Sequence, residues 1–154
     1  MPDLLSNISL SDFQHSTPIQ VRFNDTDSMG HVTNMQYLGY CDIARIRYFH
    51  HVLKEKIDFS KESLVIASVK IDFIHQIFFE EAIDVRTKIS VLGNKSLQML
   101  QLICNTETNE VKSLVHTVMS GFNYVEQHSI VIPQYWKDAI LTFDCKVEDK
   151  APNK

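Results

Sequence analysis

Residues 22–45, RFNDTDSMGHVTNMQYLGYCDIAR, contain a turn followed directly by the start of a long helix. The turn, residues 25–30, is rich in Asp, Thr, Ser and Gly, the residue types that favour turns. The stretch that follows, residues 34–53, lacks proline and has a single glycine. Its apolar residues occupy much of the helical circumference, which predicts a long and largely buried helix. Thr33 or Asn34 can cap this helix by accepting a backbone N–H bond.

Strand-like patterns lie on both sides of this helix. Residues 18–24 alternate with a period of two, which predicts a half-buried strand with Ile19, Val21 and Phe23 on one face. A charged connection, residues 54–61, separates the helix from four further strand-like runs. These runs are residues 64–74, 82–92, 96–104 and 111–124. The short spacing between them predicts hairpins and an antiparallel sheet.

The chain of 154 residues has the length of a single domain. We expect residues 1–17 to form a loose polar lead-in, residues 18–143 the folded domain, and residues 144–154 a frayed, charged tail. The domain is predicted to end in a helix, residues 132–143, begun by Pro133. One helix covers only one face of a curved sheet, and the other face or an edge then needs a partner. We therefore expect a homodimer or homotetramer.

The composition excludes several classes of protein. The net charge is −4 and no basic block occurs, so we expect no nucleic-acid partner. No apolar run is long enough to span a bilayer, and residues 1–17 lack the features of a signal peptide, so we expect no membrane association. The three cysteines, Cys41, Cys104 and Cys145, show no CxxC spacing. Their odd number favours reduced thiols in a cytoplasmic protein.

The quoted stretch resembles the 4-hydroxybenzoyl-CoA thioesterase branch of the hotdog superfamily. The family pattern is a D-x-D-x-x-G turn, then His-Val-x-Asn or a variant, then x-x-Tyr-Leu and a helical acidic-x-Ala-Arg. Every element is present here in order and at matching spacing. The resemblance covers residues 18–124 and implies an α+β hotdog fold, in which a five-stranded antiparallel sheet wraps around a long central helix.

The resemblance also implies a role for each matching residue. Asp27, the second aspartate of the turn, matches the catalytic carboxylate of the family. Gly30 matches the residue that lets the backbone approach the thioester. The helix start near Asn34 matches the place where backbone N–H groups polarise the thioester carbonyl, and His31 is a further candidate for substrate binding. The implied reaction is hydrolysis of an acyl-CoA or acyl-carrier-protein thioester to acid and thiol, without metal or cofactor.

Two further segments bear on substrate binding. Lys95 and Ser96 lie in a predicted turn where similar enzymes often contact the phosphates and pantetheine of CoA, although Lys95 is equally consistent with an ordinary hairpin lysine. Residues 75–79 depart from the family, because many relatives have a proline after the second strand. That segment helps to shape the acyl and pantetheine channel, so the resemblance does not predict which acyl group is used.

Elementary chemistry supports the same interpretation of the turn and the helix. Thioester hydrolysis develops negative charge on the carbonyl oxygen, and a helix N-terminus offers unpaired N–H donors and a positive pole. One such donor is worth about 10²–10³ in rate. A carboxylate in the preceding turn can attack the carbonyl or activate a water, and the sequence does not choose between these routes. The thiolate of CoA leaves readily, so no strong general acid is required.

The same residues allow other interpretations. Asp25 and Asp27 are also typical turn residues, and we expect Asp25 to be structural. Asp25, Asp27 and His31 have the ligand types of a metal site. Cys41 could be a nucleophile, although its apolar neighbours favour a small buried side chain.

Two alternative functions also remain. A hotdog hydratase or dehydratase pairs a carboxylate with a histidine, which Asp27 and His31 could imitate. A non-catalytic module that binds acyl thioesters is the other alternative. The helical Tyr-Leu and acidic-x-Ala-Arg pattern favours the thioesterase.

Overall fold

The computed structural model describes residues 5–54 and 61–151, and these contain two α-helices and seven strands. In chain order they are β1 (His15–Ile19), α1 (Asn34–Leu53), β2 (Glu62–Phe73), β3 (Ile83–Leu92), β4 (Ser96–Asn105), β5 (Val111–Asn123), β6 (His128–Ser129), α2 (Gln134–Phe143) and β7 (Glu148–Asp149). The predicted connection at residues 54–61 falls almost entirely outside the described residues. Within those residues, no helix has the length and apolar character needed to cross a membrane.

The five long strands form one antiparallel sheet in the order β1-β3-β4-β5-β2. Two strands of two residues extend it, with β6 pairing with β5 and β7 running parallel to β3. The helix α1 packs on one face of this sheet through two clusters of buried side chains. The predicted hotdog arrangement of a long helix wrapped by five antiparallel strands is therefore confirmed.

One face of α1 provides most of the contact with the sheet. The buried residues of the helix recur every three or four positions and are Tyr37, Tyr40, Cys41, Ala44, Tyr48, Phe49 and Val52. On the opposite face, Met35, Ile43 and Ile46 are between 45% and 79% exposed. The prediction of a largely buried helix is therefore wrong for a single chain, because the sheet covers only one side of α1.

The first strand begins earlier than the predicted strand at residues 18–24. β1 pairs with β3 along its whole length, and Pro18 is accommodated because β1 is an edge strand of the main sheet. Beyond β1 the chain leaves the sheet and forms a short 3₁₀ turn, Phe23–Asp25. Val21 is buried whereas the side chain of Phe23 is 75% exposed, so the prediction that Phe23 shares one strand face with Ile19 and Val21 is wrong. Local alternation did not reveal this turn because it is stabilised by the Asp25 carboxylate, which accepts a hydrogen bond from the Arg22 N–H.

Both ends of the described chain pack against the domain. Near the N-terminus, Phe13 is buried against Leu102 and Leu114 on the sheet face opposite α1, so this part of the lead-in is not loose. Near the C-terminus, Asp144 is buried and accepts hydrogen bonds from the Tyr48 hydroxyl and the Ile89 N–H. The strand β7 follows and pairs with β3. The prediction of a frayed tail is therefore wrong for residues 144–149, because these bonds hold them to the sheet.

The strand β2 forms the other edge of the sheet and contains a bulge. Its register with β5 shifts between Ile66 and Ser68. The bulge moves the alternation by one residue, so Leu64 and Ile71 both pack on the core although an odd number of positions separates them. Ile66, Val69 and Phe73 of β2 are left between 41% and 45% exposed.

Asp25 holds the turn against α1. Its carboxylate is 1% exposed and accepts hydrogen bonds from the Arg22 N–H (2.9 Å), the Arg22 guanidinium (3.1 Å) and the Tyr40 hydroxyl (2.8 Å). Its carbonyl oxygen accepts from the N–H of Thr33, directly before the helix (2.9 Å). Burial alone raises the pKa of Asp25, but the bonds from Arg22 and Tyr40 outweigh burial and lower the pKa below its usual value.

Replacing this carboxylate is expected to weaken the fold in a pH-dependent way. Because the folded pKa of Asp25 is lowered, its stabilisation is present above the unfolded pKa of about 3.9 and is lost as the pH falls through the folded value. We predict that Asp25→Asn lowers the free energy of unfolding at pH 7 by about 1.5–3 kcal/mol, the contribution of hydrogen bonds to a charged group. Urea denaturation of wild type and Asp25→Asn at pH 7 and pH 3 measures this loss, which should be smaller at pH 3.

The control is Asp138→Asn, on an exposed residue of α2 whose carboxylate accepts a hydrogen bond from Gln134. Its expected effect is below about 0.5 kcal/mol. A loss for Asp25→Asn that is no larger than the loss for Asp138→Asn, or that grows toward pH 3, contradicts the structural role of Asp25.

Candidate active site

A tight turn carries Asp27 to the start of α1. The Asp27 N–H donates to the carbonyl of His31 (2.8 Å), and the Gly30 N–H donates to the carbonyl of Asp27 (3.0 Å). Gly30 has a φ of +79°, in the left-handed region that glycine adopts without strain. A Cβ atom on Gly30 would have no neighbouring atom within 4 Å, so the space beside this residue is open.

The carboxylate of Asp27 is fixed by one of its two oxygens. Oδ1 accepts hydrogen bonds from the N–H groups of Met29 (2.9 Å) and His31 (3.1 Å). Oδ2 accepts no hydrogen bond from any residue that the structure describes, and the side chain is exposed. Asp27 is therefore oriented by the turn while one oxygen stays available to a substrate or a water.

The first turn of α1 leaves backbone donors free. Thr33 occupies the N-cap position as predicted, but the predicted capping bond is wrong, because its side chain accepts no capping hydrogen bond. The Gln36 N–H is satisfied by the carbonyl of Thr33 (2.9 Å). Among the described residues, none accepts a hydrogen bond from the N–H of Asn34 or Met35. The open N–H groups at the positive pole of a helix of 20 residues are suited to a developing negative charge.

Asp27 and the helix start line one cleft with a volume of about 550 Å³, which we call the Asp27 cleft. On this side the lining includes Asp27, His31 and Asn34, three of the residues predicted from the sequence. The facing wall comes from the end of β2 and the loop after it, and consists of Phe73, Ile74, His75 and Gln76, with Tyr37 of α1. The ring of His31 packs edge-on against Phe78, with 4.9 Å between the ring centres.

Most of the facing wall carries no signal in the sequence. The motif alone indicates a structural role for Tyr37 in the helix, yet Tyr37 both lines the cleft and packs edge-on against Phe73, with 5.1 Å between the ring centres. The departure from the family at residues 75–79 was the one signal in the sequence that pointed to this wall. No local pattern shows that the end of β2 meets the start of α1, because the contact exists only in the folded chain.

Lys95 and Ser96 lie away from this cleft. They belong to the β3–β4 turn, in which the Gly93 N–H donates to the carbonyl of Ser96 (2.8 Å). The carbonyl of Lys95 accepts from the N–H of Gly121 on β5 (2.8 Å). The next residue, Leu97, packs in the cluster around the C-terminal half of α1, so a single chain does not bring this turn to Asp27.

Two alternative interpretations conflict with the geometry. The carboxylate of Asp25 is enclosed by Arg22 and Tyr40. It therefore does not point to the same place as the side chains of Asp27 and His31, as a shared metal site would require. Residues 5–54 and 61–151 contain no group of three or more His, Cys, Asp or Glu side chains arranged to hold a metal ion. Cys41 is 2% exposed, and burial raises the pKa of its thiol to about 12, which leaves it protonated and a poor nucleophile.

Two known proteins are similar to this chain in sequence. The chain is similar to the acyl-CoA thioesterase YbgC of Helicobacter pylori (strain ATCC 700392 / 26695), with 29% identity over 130 residues, which are 79% of this chain and 96% of that protein. It is also similar to the uncharacterized protein YsmA of Bacillus subtilis (strain 168), with 30% identity over 98 residues. That match spans 63% of this chain and 65% of YsmA, which is less than two thirds of the relative.

A solved structure and a family model agree with these relatives. A thioesterase of Thermus thermophilus, solved in complex with coenzyme A and Zn, superimposes with a TM-score of 0.77 and 25% identity. The superposition covers 87% of this chain and 96% of that one. The family model of the thioesterase-like superfamily matches residues 21–140, a range that holds both the Asp27 turn and the whole sheet except β1 and β7. The chain therefore belongs to the thioesterase-like superfamily.

Proposed function

We propose that this protein hydrolyses acyl-CoA or acyl-carrier-protein thioesters to the free acid and the thiol, with Asp27 as the catalytic carboxylate. The observation that carries the proposal is the shared cleft. Its lining contains both a carboxylate with one free oxygen and Asn34, whose N–H is open. The open N–H of Met35 follows directly in the first turn of α1. Family membership supports the reaction, and the relative YbgC is named an acyl-CoA thioesterase.

The first turn of α1 is proposed to polarise the thioester. The carbonyl oxygen would accept hydrogen bonds from the N–H of Asn34 and Met35, so the charge that forms in the tetrahedral intermediate lies at the positive pole of the helix. The open space beside Gly30 lets the thioester approach the backbone. The side chain of His31, held by Phe78, is a candidate contact for the acyl or pantetheine chain.

Asp27 has two chemically balanced routes from this arrangement. In one, its free Oδ2 attacks the carbonyl carbon, the C–S bond breaks, the thiolate leaves, and water hydrolyses the resulting anhydride. In the other, Oδ2 takes a proton from a water that attacks the same carbon, and the thiolate leaves with the electron pair of the C–S bond. Neither route needs a metal ion or an organic cofactor, so we propose that the enzyme uses none.

The exposed edge of β2 supports a homo-oligomer. Within the described chain, β2 pairs only with β5, which leaves the backbone groups of a strand of twelve residues open along its outer side. A second β2 running antiparallel across a two-fold axis satisfies these groups and covers Ile66, Val69 and Phe73. Since Phe73 also lines the Asp27 cleft, the active site in this dimer lies at the boundary between subunits.

The same arrangement accounts for Lys95 and Ser96. Ser96 pairs with Ser120, and Ser120 pairs with Val65, so the β3–β4 turn is level with the first half of β2. Antiparallel pairing places that half of the partner's β2 beside the Phe73 end of this one. Lys95 of the partner subunit then lies about three strand spacings of ~4.8 Å from the cleft wall, within the reach of an extended CoA.

The reduced cysteines support a cytoplasmic location for this enzyme.

Thiol release tests the proposed reaction. We predict that the purified protein releases thiol from at least one member of a panel running from acetyl-CoA to palmitoyl-CoA and including aromatic acyl-CoAs. The turnover number on the best substrate is expected to be at least about 1 s⁻¹ and to survive dialysis against EDTA. An assay with a thiol reagent measures both.

Three other outcomes would contradict the proposed function or its metal-free mechanism. Loss of enoyl absorbance without thiol release identifies a hydratase, and tight acyl-CoA binding without either change identifies a binding module. Activity that EDTA abolishes and one metal ion restores contradicts the metal-free mechanism.

The edge of β2 gives a test of the assembly. We predict that the protein sediments as a dimer or tetramer at micromolar concentration, because an obligate interface of this kind buries at least about 2,000 Å². Val69→Lys places two like charges near the proposed two-fold axis and should shift the protein to the monomer. Val125→Lys makes the same change at a position that is 72% exposed in the turn before β6 and should leave the assembly intact. A stable, active wild-type monomer contradicts the proposal.

A further inference from the structure

Three residues of the facing wall of the Asp27 cleft, Ile74, His75 and Gln76, begin the loop at residues 74–81 that follows β2. This loop is tied to the active-site side by its middle. The carbonyl of Ile77 accepts from the N–H of Val32 (2.8 Å), and the N–H of Ile77 donates to the hydroxyl of Tyr37 (3.1 Å). The spacing between the two walls therefore depends both on these bonds and on the contacts that hold the loop from the side away from the cleft.

Lys112 of β5 holds the loop from behind. Its side chain is 7% exposed, and its ammonium donates to the carbonyl of Gln76 (3.1 Å), a residue that lines the cleft. The same ammonium contacts the carboxylates of Glu81 (3.0 Å) and Glu110 (2.6 Å). Lys112 does not itself line the cleft. One buried cation thus joins the middle of the loop to its end at Glu81.

The backbone around Lys112 reinforces this attachment. The carbonyl of Lys112 accepts from the N–H groups of Ile74 (2.9 Å) and His75 (3.0 Å), at the start of the loop. At the other end, Glu81 accepts from the N–H of Phe78 (3.1 Å), whose ring packs on His31. Ile74, His75, Gln76 and Glu81 are therefore all bonded to the same lysine, while Ile77 is bonded to Val32 and Tyr37.

The contacts around Lys112 favour the charged form of its ammonium. Burial alone lowers the pKa of its ammonium, but the carboxylates of Glu110 and Glu81 outweigh burial and raise the pKa above its usual value. A buried charge is stable only when it is paired and hydrogen-bonded. Removing the ammonium leaves the carbonyl of Gln76 without its partner and takes the cation from Glu81, which keeps the hydrogen bonds from Asn105 and the Phe78 N–H.

We propose that Lys112 is a positioning residue that sets the width of the Asp27 cleft, and thereby the affinity for the acyl-thioester, by holding the loop at residues 74–81. The proposal rests on the proposed thioesterase function for its kinetic part. The Asp27 turn has its own hydrogen bonds and makes none to Lys112. The loop does contact this turn, because the N–H of Phe79 donates to the carbonyl of Gly30 (3.3 Å), but the carboxylate of Asp27 is held by the N–H groups of Met29 and His31. We therefore expect displacement of the loop to change substrate binding more than the chemical step.

Matched substitutions of two buried lysines separate positioning from general stability. Lys112→Met removes the ammonium and keeps most of the apolar stem. Lys88→Met does the same on β3, where a lysine that is 5% exposed donates to a backbone carbonyl, that of Cys145, far from the loop. For Lys112→Met we expect KM to rise about tenfold with kcat within about threefold of wild type. Lys88→Met should leave KM unchanged, and Lys112→Arg, which retains the charge, should recover most of the affinity.

A second readout does not depend on activity. Amide hydrogen exchange at residues 75–79 should accelerate at least about fivefold in Lys112→Met and stay at the wild-type rate in Lys88→Met. If Lys112→Met does not fold, Glu81→Gln, which retains an acceptor for the Phe78 N–H, should show both effects in the same direction. Unchanged exchange in the loop, or a KM no higher than that of Lys88→Met, overturns the proposal. A wild-type protein that releases no thiol refutes the proposed function, and loop exchange then decides the positioning role alone.

Discussion

The position of the site depends on the hydrogen bonds of the buried Asp25 carboxylate. The carboxylate accepts hydrogen bonds from the Arg22 N–H and the Tyr40 hydroxyl. The backbone carbonyl of Asp25 accepts a hydrogen bond from the N–H of Thr33 at the helix start. These bonds fix where the chain leaves β1 and where α1 begins. With that frame in place, Asp27 two residues later can project from an ordered turn. The two aspartates of the motif thus divide the work, since one is enclosed and structural and the other is exposed with a free oxygen.

Much of the fold follows from local patterns in the sequence. The bounds of α1 agree with prediction because residues 34–53 contain no proline and have apolar residues at helical spacing. The four later strands agree to within about two residues, as is usual for element boundaries. The failures come from contacts distant in sequence. Residues 18–24 look like a strand, but the Asp25 carboxylate turns the chain. The tail looks frayed, but Asp144 binds Tyr48, which lies 96 positions away.

The candidate site divides in the same way. Asp27, His31 and Asn34 are close in sequence, so an ordered motif is sufficient to group them, and the structure places all three in one cleft. The opposite wall comes from the end of β2, and its buried support, Lys112, comes from β5. Lysine in a strand carries no signal of burial or of function by itself. The exposed faces of α1 and β2 likewise become meaningful only when a second subunit is considered.

The most direct test of this account compares the two aspartates in one kinetic assay. In Asp27→Asn the amide oxygen can still accept from the N–H groups of Met29 and His31, so the turn should persist while the negative charge is lost. We expect kcat for thiol release to fall at least about 10²-fold with acyl-CoA binding retained. Asp25→Asn loses the charge but keeps an acceptor oxygen for the Arg22 N–H and the backbone bond from Thr33, so in the folded protein kcat should stay within about threefold of wild type. Near-normal turnover by Asp27→Asn, above all if Asp25→Asn is inactive, would contradict the assignment of Asp27 as the catalytic carboxylate.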